Sequence, residues 1–190
     1  ATAIEESWLQ ELFPSEFSTV NHVRYDATQR RVVTRVERRF RDLVLEAKER
    51  DDAPSDAASR ILAEEVAAGR LELEKWDVPV DAWIRRVNFL AKHCPELGIP
   101  VFDDAARRMV IEEVCAGAVA YRDIRDRPVF GVVRGWLTHE QAMALESYCP
   151  EKIILPRKKH PARIEYTEDG QAEVEAALAA AVHSARKEIA

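Results

Sequence analysis

Apolar and polar side chains alternate over residues 20–48 in the way that β-strands require. From residue 20 to residue 48, β-branched residues alternate with charged ones, so that one set faces each side of an extended segment. Residues 26–29 interrupt the alternation and predict a hairpin connection, although they contain no glycine. We therefore predict three strands here. Before them, residues 4–17 have apolar side chains at helical spacing, which Pro14 interrupts, and we predict a short lead-in helix there.

The spacing of apolar residues becomes helical after residue 50. Residues 58–66 place their apolar side chains on one face of a helix, and Gly69 stands where that helix would end. Thr138 and Gln141 have the spacing of a capping box and predict the start of another helix. In all, we predict further helices over residues 80–92, from Asp103 or Asp104, around residues 128–134 and over residues 138–148.

Strand character returns towards the end of the chain. Residues 153–155 and 163–166 have the composition of strands, and residues 167–170 predict a turn. Residues 171–190 are rich in alanine and suit a closing helix, although residues 172–175 are also compatible with a strand.

The order of strands, helices and strands predicts an α+β fold. We expect strands from both ends to form a small antiparallel sheet or barrel, with the helical block inserted between them. Residues 1–50 then carry the lead-in helix and first strands, residues 51–150 the helical block, and residues 151–190 the returning strands and terminal helix. No linker rich in glycine, serine or proline divides the chain, so we expect one compact unit.

Composition indicates a globular protein in a reducing compartment. The hydrophobic share of 47% in 190 residues is too high for a disordered chain. There is neither a long uncharged apolar run nor a secretory signal, so we expect a cytoplasmic protein without membrane contact. The three cysteines are widely spaced, which favours buried thiols over disulfides or a zinc site. Because the chain starts with Ala1, we expect it to be part of a longer protein.

The motifs of common catalytic sites are missing from the sequence. None of the six glycines opens a phosphate-binding P-loop, and no serine lies in a G-x-S-x-G context. His139 and Glu140 resemble the start of an H-E-x-x-H zinc motif, but Met143 stands where the second histidine would be. We therefore predict no catalytic residue, no metal and no cofactor, and regard an independent small enzyme as the least favoured alternative.

Two short basic segments stand out in a chain whose net charge is −6. Residues 22–41 carry seven arginines against two acids, and residues 152–163 carry five basic residues and no acid. Strand alternation places Arg31, Arg35 and Glu37 on one face, where guanidinium groups could contact the phosphates of a nucleic acid. The predicted nucleic-acid-binding residues are Arg31, Arg35, Arg38, Arg39, Arg41, Arg157, Lys158, Lys159 and Arg163. The alternative is a solvated edge strand that uses charge to avoid aggregation.

Several short segments, taken in order over residues 7–170, resemble a known family. They are Arg31-Val32-Val33, Arg38-Arg39-Phe40, Leu43-Val44-Leu45-Glu46, Arg86-Val87-Asn88-Phe89-Leu90, Pro95-Glu96-Leu97, Leu145 with Pro150, Leu155-Pro156 and Arg163-Ile164-Glu165-Tyr166. Together they look like the C-terminal region of HrpB-type bacterial ATP-dependent helicases of the DEAH-box group. The resemblance weakens at residues 157–159, where small polar residues would be expected, and after Gly170.

The resemblance implies a non-catalytic accessory module that follows the motor domains of a helicase. In that family this region includes an OB-like β module and helical extensions. ATP and Mg²⁺ would then be bound by motor domains that lie outside this chain. The implied partners are those motor domains and single-stranded nucleic acid, with RNA favoured by family analogy, and no small-molecule substrate. The alternative is a structural module that docks on the motor or on another protein through an apolar patch on helices 80–92 or 104–116.

Overall fold

The computed structural model describes residues 6–156, 159–167 and 172–174 of the chain. It mixes α-helices with antiparallel strands. The helices are α1 (Glu6–Leu12), α2 (Ser55–Ala67), α3 (Val78–His93), α4 (Asp104–Cys115), α5 (Tyr121–Ile124), α6 (Val129–Arg134) and α7 (His139–Tyr148). The strands are β1 (Phe17–Asp26), β2 (Arg31–Phe40), β3 (Leu43–Arg50), β4 (Lys152–Ile153), β5 (Ala162–Tyr166) and β6 (Ala172–Val174). None of the described helices combines the length and low polarity needed to cross a membrane.

The chain divides into two compact units, each made of two segments. The first unit contains the described residues up to Leu73 together with Ile111–Arg127. The second contains Glu74–Val110 together with the described residues from Pro128 onward. The sequence analysis expected one compact unit, with its helical block over residues 51–150. The boundary falls inside the helical block, because residues 111–127 pack with the N-terminal strands rather than with the neighbouring helices.

The first unit is built on the antiparallel sheet β1-β2-β3. The predicted hairpin connection is confirmed: one carboxylate oxygen of Asp26 accepts hydrogen bonds from the amides of Thr28 and Gln29, at 2.8 and 2.9 Å. Arg30 ends this turn with a φ of 52°, a left-handed conformation that non-glycine residues seldom adopt. A register shift between Arg38 and Arg39 marks a bulge in the pairing of β2 with β3.

Residues 119–121 complete the edge of this sheet. The pairing of β3 ends opposite Thr34, which leaves the first residues of β2 without a strand on that side. There the amide of Val32 donates to the carbonyl of Val119 at 2.9 Å, and the amide of Tyr121 donates to the carbonyl of Arg30 at 3.0 Å. A distant segment of the chain therefore satisfies backbone groups that would otherwise be buried without partners.

The second unit is organised around α3. Asp77 caps this helix by accepting a hydrogen bond from the amide of Val80, and four residues of the predicted apolar stripe are buried: Val80, Trp83, Val87 and Leu90. Trp83 is 6% exposed, so it belongs to the core. The predicted capping box of α7 is confirmed by reciprocal hydrogen bonds between Thr138 and Gln141, at 3.1 and 3.2 Å.

A buried arginine on α3 connects the last helix of the second unit with the strands that follow. Nε of Arg86 donates to the carbonyl of Cys149 at 2.8 Å, and its two Nη atoms lie 3.0 Å from Glu151 and 3.1 Å from Glu146. The hydroxyl of Tyr166 on β5 donates to the carbonyl of Pro150 at 2.9 Å. Side-chain donors thus satisfy the carbonyls at the end of α7, where helical bonding stops.

Two cysteines are buried, as the sequence predicted. Cys115 and Cys149 are 0% and 1% exposed, and burial raises the pKa of each thiol to about 11. A buried thiol with a raised pKa is a poor nucleophile. Cys94 is only partly buried, and all three are free thiols.

The strands form two separate three-stranded sheets, β1-β2-β3 and β4-β5-β6. The expected single sheet or barrel from both chain ends is therefore wrong for the described residues, and the OB-like closure implied by the resemblance is not confirmed. Consecutive strands joined by short turns pair at little entropic cost, whereas joining both ends would close a loop of about 100 residues. At residues 172–174 the strand alternative is confirmed; the expected closing helix lies outside the described residues.

Candidate nucleic-acid interface

Four arginines lie on one face of the first sheet. The alternation predicted for β2 is confirmed, because Arg35 and Arg39 both contact Glu37 while Arg38 points to the opposite face. The strand register adds Arg24 from β1, directly opposite Val33 of β2. We call this surface the arginine face; it consists of Arg24, Arg31, Arg35 and Arg39 with His22, Asp26, Glu37 and Glu49.

Glu37 lies at the centre of the arginine face. Its side chain is 9% exposed, and its two oxygens accept hydrogen bonds from Nε of Arg35 at 2.9 Å and from Nη2 of Arg39 at 2.6 Å. Nε2 of His22 lies 3.9 Å away. The hydrogen bond from Arg39, supported by that from Arg35, holds the pKa of Glu37 below its ordinary value and outweighs the opposing effect of burial.

The other arginines of the face also have carboxylate partners. Arg31 donates to Asp51 at 2.8 Å, and Arg24 is hydrogen-bonded to Glu49 and lies 3.5 Å from Asp26. The four arginines are thus balanced by Asp26, Glu37, Glu49 and Asp51. A phosphate that binds here must share these guanidinium groups with carboxylates. Sharing is possible, because a guanidinium has five N–H donors and the bonds described use only one or two of them.

The remaining predicted residues that the structure describes are not part of the arginine face. Arg38 lies on its reverse side, opposite Glu46 on β3, and Arg41 lies in the turn after β2 with Nε 3.0 Å from Glu16. Lys159 and Arg163 belong to the second unit and are exposed. Arg157 and Lys158 lie outside the described residues. The structure therefore brings together Arg31, Arg35 and Arg39 of the predicted set and adds Arg24.

A second basic site was missed by the sequence analysis. A pocket of about 360 Å³ in the first unit is lined by Gln29, Arg30, Arg31, Ala120, Tyr121, Arg122 and Arg125. We call it the arginine pocket. It joins the β1–β2 turn to α5, because residues 119–121 pair with the start of β2. No local pattern could have indicated this pairing, since Arg122 and Arg125 alternate with acidic residues in a segment of helical character.

The described residues contain no cluster of three or more histidine, cysteine, aspartate or glutamate side chains that could hold a metal ion. The geometry of the first unit is instead that of two arginine-rich sites that share Arg31. Such sites recognise anions by charge and by paired N–H donors.

Two solved structures are similar to this chain in fold. The crystal structure of the Escherichia coli DExH-box NTPase HrpB matches with a TM-score of 0.58 and 17% identity, over 90% of this chain and 22% of that one. The chain shares its fold with a part of HrpB. A second structure, the Escherichia coli DEAH/RHA helicase HrpB, matches with a TM-score of 0.57 and 18% identity, over 84% of this chain and 21% of that one.

The comparison confirms, at the level of fold, the resemblance to HrpB that the sequence motifs indicated. The chain spans about a fifth of the length of the HrpB chains that it matches. No protein-family model matches the sequence, and the search of the curated proteins found no match. The likeness to HrpB therefore concerns the fold, and the activity of the whole helicase bears on this chain only as a proposal.

The ion pairs of Glu37 predict a pH dependence of stability. Because the folded-state pKa of Glu37 lies below the ordinary value of 4.5, its pairing with Arg39 and Arg35 stabilises the fold fully above that pH. The contribution is lost as the pH falls through the lowered pKa. We expect the difference in unfolding free energy between the parent chain and Glu37→Gln to be constant above about pH 5.5 and to shrink below about pH 4.5.

Urea unfolding at a series of pH values between neutral and acidic conditions measures this difference. Glu112→Gln, at an exposed position of α4, serves as the control and should differ from the parent chain equally at every pH. A difference for Glu37→Gln that does not change with pH would show that Glu37 is not stabilised by these arginines.

Proposed function

We propose that the chain is a non-catalytic accessory module of an ATP-dependent helicase, and that it holds single-stranded nucleic acid by contacts to the phosphates. The likeness in fold to about a fifth of HrpB supports the helicase context. The observation that carries the nucleic-acid part is the alignment of four guanidinium groups on one face of two adjacent strands. RNA is the favoured polymer by analogy with the family alone.

The spacing of the arginines on β2 suits a polymer. Arg31, Arg35 and Arg39 recur every fourth residue, which places them about 13 Å apart along a strand. A single small anion could reach only one of them. An extended strand with regularly repeated phosphates can contact several, and contacts to phosphates are independent of base sequence.

The carboxylates of the arginine face limit how strongly a strand can bind. Each phosphate must share a guanidinium with Glu37, Asp51 or another acid. Binding is therefore expected to be weak and strongly dependent on salt. These are useful properties for a surface along which a strand moves while the motor domains, with bound ATP and Mg²⁺, supply the energy.

Charge variants of the arginine face provide the test. For the single variant Glu37→Gln we expect tighter binding of single-stranded oligonucleotides, because two guanidinium groups lose their shared carboxylate. For Arg35→Gln combined with Arg39→Gln we expect weaker binding of all sequences alike. We also expect the slope of log K against log salt to become shallower by about 1.4, or about 0.7 for each phosphate that the variant no longer binds.

Fluorescence anisotropy with labelled oligonucleotides of several sequences, at salt concentrations from about 50 to about 200 mM, measures both effects. The matched control is Arg60→Gln with Arg108→Gln, which removes two exposed arginines elsewhere. Circular dichroism verifies that each variant is folded. Equal affinities for the parent chain, the double variant and the control at low salt would contradict the proposal.

Docking on the motor domains of the same parent protein is a second candidate function. The alternative placed an apolar patch on helices 80–92 or 104–116: Val80, Trp83, Val87 and Leu90 of α3 are buried, whereas Met109 of α4 is 58% exposed. Exposed apolar side chains occur in both units: Trp8, Leu12 and Leu43 in the first are 50%, 70% and 63% exposed, and Val78 and Ile154 in the second are 68% and 76% exposed. A chain that served only for docking would bind no oligonucleotide in the titrations above.

A further inference from the structure

We propose that the arginine pocket binds a phosphate group. Four of the seven residues that line it are arginines: Arg30, Arg31, Arg122 and Arg125. The lining described by the structure includes no carboxylate. On the arginine face, by contrast, Glu37 lies among the arginines that it pairs with. The inference goes beyond nucleic-acid binding on the face, because it concerns a concave site for one anionic group.

The acids that contact these arginines stand outside the pocket. Arg31 is bonded to Asp51, Arg125 to Asp126, and Nε of Arg122 lies 3.7 Å from Asp123. Asp123 also has backbone partners: its Oδ2 atom accepts hydrogen bonds from the amides of residues 119 and 120, at 3.2 and 2.9 Å. Among the lining residues that the structure describes, an anion would meet guanidinium donors and no carboxylate. In addition, Nε of Arg31 is buried with no hydrogen-bond partner among the described residues.

The position of Arg30 is fixed by its neighbours before any ligand binds. Its carbonyl accepts the amide of Tyr121 at 3.0 Å, and its guanidinium carbon lies 4.2 Å from the centre of the Tyr121 ring. The hydroxyl of Tyr121 in turn donates to the carbonyl of Glu72 at 2.9 Å. Stacking on the ring leaves most donors of Arg30 available, so little ordering is needed when an anion arrives.

The chemistry of the pocket favours phosphate over other anions. A phosphate monoester carries a charge of about −1.5 to −2 near neutral pH and offers three acceptor oxygens. Planar guanidinium forks match these oxygens in pairs. The volume of about 360 Å³ accommodates a phosphate group with part of a nucleotide. The group could belong to the end or backbone of a nucleic-acid strand, or to a phosphorylated small molecule.

The experiment compares Arg122→Gln combined with Arg125→Gln against the control Arg60→Gln combined with Arg108→Gln. All four positions are exposed, and both variants remove two positive charges. Inorganic phosphate is titrated into the ¹⁵N-labelled 190-residue chain, and the amides of Tyr121 and Arg122 are followed by NMR. In parallel, fluorescence anisotropy measures binding of oligonucleotides with a 5′-phosphate and with a 5′-hydroxyl.

We expect inorganic phosphate to shift the NMR signals of the Tyr121 and Arg122 amides in the parent chain and in the control. We expect the variant Arg122→Gln with Arg125→Gln to bind phosphate at least about tenfold more weakly, because it loses charge-assisted hydrogen bonds. A preference for the 5′-phosphate that the pocket variant loses would assign the group to a strand end. Phosphate shifts without oligonucleotide binding would support the pocket, assign it to a small molecule and contradict the proposed function. Two results would overturn the inference. In the first, the pocket amides do not respond to phosphate and the pocket variant binds oligonucleotides as tightly as the control. In the second, phosphate shifts the pocket amides of the pocket variant as it does those of the parent chain.

Discussion

Replacing Arg86 with alanine is expected to lower the free energy of unfolding by about 3 kcal/mol. The residue is 3% exposed, and its Nε atom is the donor to the carbonyl of Cys149. Without that donor the buried carbonyl is unsatisfied, which costs about 1 to 3 kcal/mol. The loss of packing by the aliphatic stem adds to this. Glu146 and Glu151 contribute little, because their side chains are 61% and 65% exposed and regain water.

Urea unfolding monitored by tryptophan fluorescence measures the effect. Arg86→Met restores the packing but not the donor, and is therefore expected to recover about 1 kcal/mol of the loss. Arg108→Ala, which removes an exposed arginine from α4, should change stability by less than about 0.5 kcal/mol. If Arg86→Ala were as stable as this control, the bond to Cys149 would have no structural importance.

Replacing Tyr121 with alanine is expected to destabilise the first unit by about 4 kcal/mol. The side chain is 7% exposed, so truncation leaves a cavity the size of an aromatic ring. It also removes the hydrogen bond to the carbonyl of Glu72 and the surface on which Arg30 stacks. Tyr121→Phe loses only the hydrogen bond, and we expect a loss of about 1 kcal/mol for that variant.

The same unfolding measurements separate these contributions. Tyr148→Ala is the matched control, since Tyr148 is 66% exposed at the end of α7 and its truncation should change stability by less than about 0.5 kcal/mol. A similar loss for Tyr121→Phe and Tyr121→Ala would mean that the hydroxyl, rather than the ring, holds residues 119–121 against the sheet.

Local patterns were sufficient to predict much of the secondary structure. The alternation of residues 20–48 predicted β1 to β3, and the capping box at Thr138 predicted the start of α7. Both signals depend on residues only a few positions apart. The association of the strands into two sheets was not predicted, because the choice of pairing partners depends on chain entropy and on which surfaces are covered, and neither leaves a periodic signal.

The candidate sites were likewise predicted only in part from the sequence. Alternation placed Arg31, Arg35 and Glu37 together, but not their neighbours Arg24 and Glu49, because the register of β1 and β3 determines which residues lie side by side. The bulge after Arg38 also changes that register on one side of β2. The arginine pocket could not be predicted at all, since it depends on hydrogen bonds between segments about 90 residues apart.

The pairing of residues 119–121 with the start of β2 has a consequence for synthesis of the protein. While a ribosome is still making the middle of the chain, the meander of β1, β2 and β3 can form, but the amide of Val32 and the carbonyl of Arg30 have no partner. The first unit cannot reach its final form until residue 121 has left the exit tunnel. By then, residues 74–110 have already emerged, although the second unit still lacks its segment from Pro128 onward. A nascent chain stopped before that point would expose a sheet edge open to pairing with other polypeptides.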